Sequence, residues 1–123
     1  MTKRVLDVGN CGPDHASITH MIESNFDAEV VQVHDGDEAV QTLTSQSFDL
    51  VLVNRLMDRT GASGLDIIKK VKADADLRAV PVMMITNFEE HQGLAVAAGA
   101  ESGFGKQAMN LPKTIDLLRP YLD

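Results

Sequence analysis

The stretch Asp49-Leu50-Val51-Leu52-Val53-Asn54-Arg55 constrains this chain more than any other. Four consecutive apolar residues, two of them β-branched, stop abruptly at polar groups, the pattern of a central strand buried on both faces and ending at a surface. In an open parallel sheet, ligands and chemistry gather outside the carboxyl ends of the strands. The residue placed there is Asn54. A carboxylate at that point would suggest chemistry; a carboxamide does not.

Elements of the same kind recur along the chain. Lys3 to Val8 is a short apolar run closed by the turn signal Gly9-Asn10-Cys11-Gly12-Pro13, and Pro13 to Asn25 carries Ala16, Ile18, Met21 and Ile22 at helical spacing. Ala28 to Val33 is β-branched and brief, and a helical pattern resumes over Glu38 to Leu43. Beyond the polar loop Arg55 to Ser63, the segment Gly64 to Lys72 places Leu65, Ile68 and Val71 on one helical face. Ala79 to Thr86 reads as a fourth strand with Pro81 near its start, and Glu89 to Ala98 as a helix stopped by Gly99. Glu101 to Lys106 is the weakest strand, and Leu111 to Leu122 closes the chain as a helix.

Five strands alternating with five helices, with no repeat or linker between them, predict one α/β domain over residues 1–123. A doubly wound parallel sheet of order 2-1-3-4-5 is the usual solution. It sets the ends of strands one and three side by side, bringing Gly9, Asn10 and Asn54 together, while Thr86 and Lys106 approach from the other side.

Composition narrows the function classes. A net charge of −7 and the lack of a local basic cluster argue against a nucleic-acid partner. The apolar runs are far shorter than the roughly 18 residues that a membrane span needs, and no targeting segment is visible. The single cysteine, Cys11, has no disulfide partner, so a reducing interior suits the chain and the cytoplasm is the expected location. Its place near a helix N-terminus allows a redox role, for which no resolving thiol exists. His15, His20, His34 and His91 have no zinc-site spacing and are expected at the surface. The six methionines read as core filling, and the Gly9-Asn10-Cys11-Gly12 turn lacks a nucleotide-loop fingerprint.

Several marks, in register along the whole chain, resemble the response-regulator receiver domain, the phosphoacceptor module of two-component signalling with a flavodoxin-like fold. They are Phe48-Asp49-Leu50-Val51-Leu52-Val53 before the acceptor position, Met83-Met84-Ile85-Thr86-Asn87, the Ala97-Ala98-Gly99-Ala100 turn, and Lys106. The resemblance implies an aspartate nucleophile at the end of strand three, an acidic pair after strand one to hold Mg²⁺, and Thr and Lys to compensate the phosphoryl charge. Here those positions carry Asn54 and the pair Gly9 and Asn10, so three carboxylates are missing at once. Mg²⁺ gains little from neutral amides, and no cofactor is expected. The family's switch aromatic falls on Gly103, with Phe104 on the opposite face, and Asp58 stands where the family commonly has proline.

The resemblance therefore implies an atypical receiver, not an enzyme, that works by contact with a histidine kinase or a downstream effector. The expected surface is helix four, strand five and helix five, with a homodimer as the alternative. A chain ending at Asp123 is expected to have no output domain of its own. Two other readings stay open: phosphorylation of a displaced acid such as Asp58, or a small-molecule or anion sensor using Asn10, Asn54 and Lys106 in the strand-end crevice. Asn54 itself is either a ligand-binding amide or a polar cap, and Thr86 a loop anchor. Lys106 is expected to bond Asn54 or reach an acid such as Asp58, as a structural tether or as a contact for a small anion. Arg55 is solvated or an anion contact. Asp7, a carboxylate inside an apolar strand, must be paired, protonated or turned to a rim, with a metal role as the less favoured choice.

Overall fold

The strand that the sequence marks as central is central in space. The computed structural model describes residues 1–123. Parallel strands β1 (Lys3–Val8), β2 (Ala28–Val33), β3 (Leu50–Asn54), β4 (Val82–Ile85) and β5 (Glu101–Phe104) alternate with helices α1 (Gly12–Asn25), α2 (Gly36–Ser45), α3 (Gly64–Ala73), α4 (Glu89–Ala97) and α5 (Pro112–Leu122). The sheet order is β2-β1-β3-β4-β5. Val8 lies beside Val53, and Asn54 beside Ile85, so the carboxyl ends of the three middle strands finish at one level.

Strand alternation divides the core in two. Leu6, Val8, Val51, Val53, Val82 and Met84 face one layer, where they meet Ala39 of α2, Ile67, Ile68 and Val71 of α3 and Ala95 of α4. Val5, Leu50, Leu52, Met83, Ile85 and Phe104 face the other, against Ile18, Met21 and Ile22 of α1 and Ile115 and Leu118 of α5. Both faces of β1 and β3 are thereby dry, which is why their sequences are nearly unbroken apolar runs. Asp7 is fully buried within such a run.

Element ends follow local chemistry. Asp35 caps α2 by accepting the Glu38 N–H at 2.9 Å, and Pro13 and Pro112 occupy first-turn positions where no N–H is needed. β4 is shorter than the predicted Ala79–Thr86, because Pro81 lacks a donor for the ladder and contributes only its carbonyl, to Val51 N–H. β5 stops at Phe104, and Lys106 opens a single 3-10 turn over Lys106–Ala108 instead of continuing the strand. The β3–α3 loop folds back on itself through a bridge between Leu56 and Ser63, with Met57 N–H donating to Ala62 O at 2.8 Å.

Gly64, at the start of α3, lies against the strand end so closely that a Cβ there would collide with the carbonyl oxygen of Asn54. That obstacle is backbone and cannot step aside. Gly64→Ala should destabilise the domain by about 2 kcal/mol, the usual scale of an overpacked buried position, measured as a lower urea midpoint at unchanged m-value.

Candidate functional site

The site grows from the abrupt ends of β1 and β3. Gly9 leaves β1 at φ +80°, a conformation in which a side chain is strained, and a Cβ on it would also strike the Met57 thioether. Met57, 1% exposed, therefore fills the space above Gly9. The Gly9 carbonyl accepts the Asp58 N–H at 2.9 Å and the Asn54 side-chain amide at 3.4 Å. Asn54 Nδ2 also donates to Leu56 O at 2.7 Å. Its carboxamide thus ties the end of β1 to the folded-back loop after β3, the role of a polar cap.

Thr86 is buried at the end of β4, where its Oγ1 accepts the Phe88 N–H at 3.3 Å and its own N–H donates to Phe104 O at 3.0 Å. It anchors the loop. The Arg55 guanidinium lies 5.8 Å from the centroid of the Phe88 ring, so the cation leans on an exposed aromatic face. The Asp58 carboxylate is exposed and engages no side chain.

Lys106 corrects the sequence reading. Its ammonium reaches neither Asn54 nor Asp58 but pairs with Asp14 in the first turn of α1, Nζ to Oδ2 at 2.6 Å. Ending β5 at Phe104 and turning through Lys106 swings the side chain toward α1. The Lys106 hydrogen bond holds the Asp14 carboxyl below its usual value of 3.8, against a smaller opposing effect of burial.

Asp7 is the other ionic feature, and it sits beneath the first. Asn10 Nδ2 donates to its Oδ1 at 2.6 Å, and His15 Nδ1 lies 2.7 Å from its Oδ2, the carboxylate assigning the ring proton to Nδ1. His15 is therefore not a surface residue, as expected above, but the buried acid's partner, its side chain 23% exposed. Burial raises the Asp7 carboxyl above 3.8, opposed by the bonds from Asn10 and His15 and by the charges of His15 and Lys106. The Asn10 Oδ1 is buried and has no hydrogen-bond partner in the protein. No group of three or more His, Cys, Asp and Glu residues is arranged to hold a metal ion.

Neither Asp14 nor the pairing of His15 is among the site residues expected from the sequence. A signal existed for each: an acid in a helix first turn beside the strand ends, and an imidazole one position further, after an ionisable residue in β1. Neither pairing has a periodicity, so only the docking of α1 on the sheet reveals them.

The two acids predict opposite pH effects. Asp7, raised on folding, holds its proton in the native state after the unfolded chain has released it, so its contribution falls as pH rises from about 3.8 through the folded value. Asp7→Asn should flatten that limb, so the variant's unfolding free energy gains on the wild type between acid and neutral pH in urea titrations. Asp14, lowered on folding, contributes above its unfolded value, and the contribution is lost as pH falls through the folded one. Lys106→Met should remove this acid-side loss at a cost of about 0.5 kcal/mol at neutral pH, since the pair is partly exposed.

Comparison with known proteins places this arrangement. The family profile described as "Response regulator receiver domain" matches residues 14–112. The phosphate regulon transcriptional regulatory protein PhoB of Klebsiella pneumoniae is 32% identical over 103 residues, covering 82% of this chain and 44% of PhoB, so the chain spans less than half the length of that relative. The polar-differentiation response regulator DivK of Brucella ovis is 25% identical over 123 residues, covering 99% of this chain and 98% of DivK. In three dimensions, a putative response regulator from Chloroflexus aurantiacus superposes with a TM-score of 0.86 at 17% identity, over 98% of each chain, a likeness of fold. The chain belongs to the response-regulator receiver-domain family of two-component signalling.

Proposed function

We propose that this chain is a receiver domain that signals by protein contact and takes no phosphoryl group at the end of β3. Asn54 carries the reading. Aspartyl phosphorylation needs a carboxylate whose oxygen attacks phosphorus, and a carboxamide has no such nucleophile. The Asn54 amide is moreover committed to Leu56 O and Gly9 O.

The surroundings support the same reading. A phosphoryl-binding receiver holds Mg²⁺ with an acidic pair after β1, and the residues here do not fit that ion. Gly9 has no side chain and the Asn10 amide is directed to Asp7, so neither position of that pair offers an anionic oxygen to a hard cation. The lysine that would compensate a phosphoryl charge already has a carboxylate, Asp14. On this proposal the domain is not an enzyme.

Receiver domains act through contacts with kinases and effectors, and the partner we propose is a histidine kinase or a downstream effector, with a second copy as the alternative. The surface is that of α4, β5 and α5. Phe88, Leu94, Val96 and Leu111 are exposed large apolar side chains on α4 or at the first ends of α4 and α5. The net charge of −7 speaks against nucleic acid as the direct partner. No helix is long and apolar enough to cross a membrane, and a cytoplasmic setting is part of the proposal.

One observation favours a second reading. Asp58 is fastened beside the crevice by the bond from its N–H to Gly9 O, so a displaced acid stands at the rim. A small-ligand sensor has less support, because Asn10, Asn54 and Lys106 are each turned to internal partners.

An amide NMR titration with Mg²⁺ and then beryllofluoride, an acyl-phosphate mimic, tests the proposal. The resonances of Asn54, Thr86 and Lys106 should stay in place. Saturable shifts would overturn the contact-only reading. A mass gain of one phosphoryl group on treatment with acetyl phosphate, abolished by Asp58→Ala, would establish the second reading.

A further inference from the structure

The seam between β4 and β5 is irregular, and one side chain from α4 fills the irregularity. Met83 pairs with Glu101 and Ile85 with Phe104, so β5 takes three steps where β4 takes two. The extra residue is a bulge, which turns a backbone group off the ladder. Gly103 N–H points out of the sheet and donates to Gln92 Oε1 at 2.9 Å. The other end of the same amide, Nε2, donates to Met84 O at 2.8 Å and to Thr86 O at 3.3 Å. Gln92 therefore bonds β4, β5 and the β4–α4 loop together from a single position on α4.

We infer that Gln92 is the positioning residue of the α4–β5–α5 face: its amide bridges β4 to β5 and holds α4 in one place. The functional value of a fixed face rests on the contact reading above. The geometry leaves no room for a rotating group in that slot. A Cβ on Gly103 would collide with Met84 O and approach Gln92 Oε1 at 3.2 Å, so the position admits no side chain. Phe104 is 5% exposed and belongs to the opposite core layer, that of α1 and α5, so it does not occupy this slot.

The Thr86 hydroxyl is bound into the same arrangement. Its Oγ1 accepts the Phe88 N–H, Phe88 O accepts the Gln92 N–H at 3.1 Å, and the Gln92 side chain returns to Thr86 O, closing a ring of hydrogen bonds around the start of α4. Ala95, fully buried, anchors the helix one turn later. A two-state switch needs a second arrangement of comparable stability. Here each group that a switch would move is already held. A groove of about 610 Å³, lined among others by Asn87, Gln92, Gly103, Gln107 and Thr114, lies along this seam.

The test uses the whole chain, without partner or phosphodonor, and compares wild type with Gln92→Glu and Gln92→Ala. The glutamate variant keeps the acceptor for Gly103 N–H but loses both donors, and the alanine variant loses all three bonds. Amide hydrogen exchange and ¹⁵N relaxation dispersion are the readouts. Wild type should show flat dispersion over residues 86–104. In the variants Gly103 exchange should accelerate by on the order of tenfold or more, with alanine faster than glutamate. Dispersion should appear at Thr86, Phe88 and Gly103 while Leu6 and Val8 in β1 keep their protection. Dispersion already present in wild type, unchanged variants, or equal acceleration in β1 and at Gly103 would each overturn the assignment. If the alanine variant does not fold, the glutamate variant gives the same decision. Failure of the contact reading appears separately, as beryllofluoride shifts.

Discussion

Burial of β1 and β3 on both faces is the constraint from which the rest follows. A parallel strand covered on both sides has no solvated face for polar side chains, so Val5 to Val8 and Leu50 to Val53 are wholly buried, and every polar function is pushed to the strand ends. Helices must then cover each face, which divides the apolar residues into two cores sharing one sheet. The register that aligns Val8 with Val53 and Asn54 with Ile85 gathers the strand ends into one rim. Gly9, Asn54, Thr86 and the turn holding Lys106 meet there for that reason alone.

Asp7 is the one departure from this rule, and the structure is arranged around it. A carboxylate in a dry strand must be hydrogen-bonded or neutralised, and Asn10 and His15 hydrogen-bond it from just beyond β1 and the first turn of α1. Lys106 adds a cation nearby while bonding Asp14 directly. The acids at this end of the sheet are thus each met by an internal partner, Asp7 by Asn10 and His15 and Asp14 by Lys106. Lys106, the cation at this rim, already has a carboxylate partner in Asp14. The same economy of free groups extends to the β4–β5 seam, where the Gln92 amide completes bonds that the bulge turns off the ladder. Rim and seam meet at Thr86, whose hydroxyl and carbonyl are both engaged.

Much of this was legible in the residues. Element order, sheet order and the two-layer core follow from apolar runs and helical spacing, because burial on a strand or a helix face repeats at fixed intervals. The strand-end positions were readable too, since a parallel sheet of this order leaves little choice about which loops are neighbours. Asn54 acts as the polar cap that its carboxamide suggested. Lys106 does reach an acid, but Asp14 in place of Asp58, and His15 is a buried acid's partner and not a surface residue, for one reason. Each forms a pair across elements, with Asp14 and with Asp7, set by how α1 seats on the sheet and where β5 ends. The Gln92 bridge has no sequence signature because it depends on a one-residue bulge, which changes no hydrophobic pattern.

The sequence by itself determined the doubly wound fold, the place of the crevice and the absence of carboxylates at Gly9, Asn10 and Asn54, because these depend on residue identity and on periodic burial. Only the tertiary structure decided which charged groups are already paired and which backbone groups of the β4–β5 seam the Gln92 amide bonds. Those outcomes depend on contacts a few ångströms long between segments far apart in the chain. A shift of one residue in a strand end, or a small rotation of a helix, would give the same sequence a different set of partners.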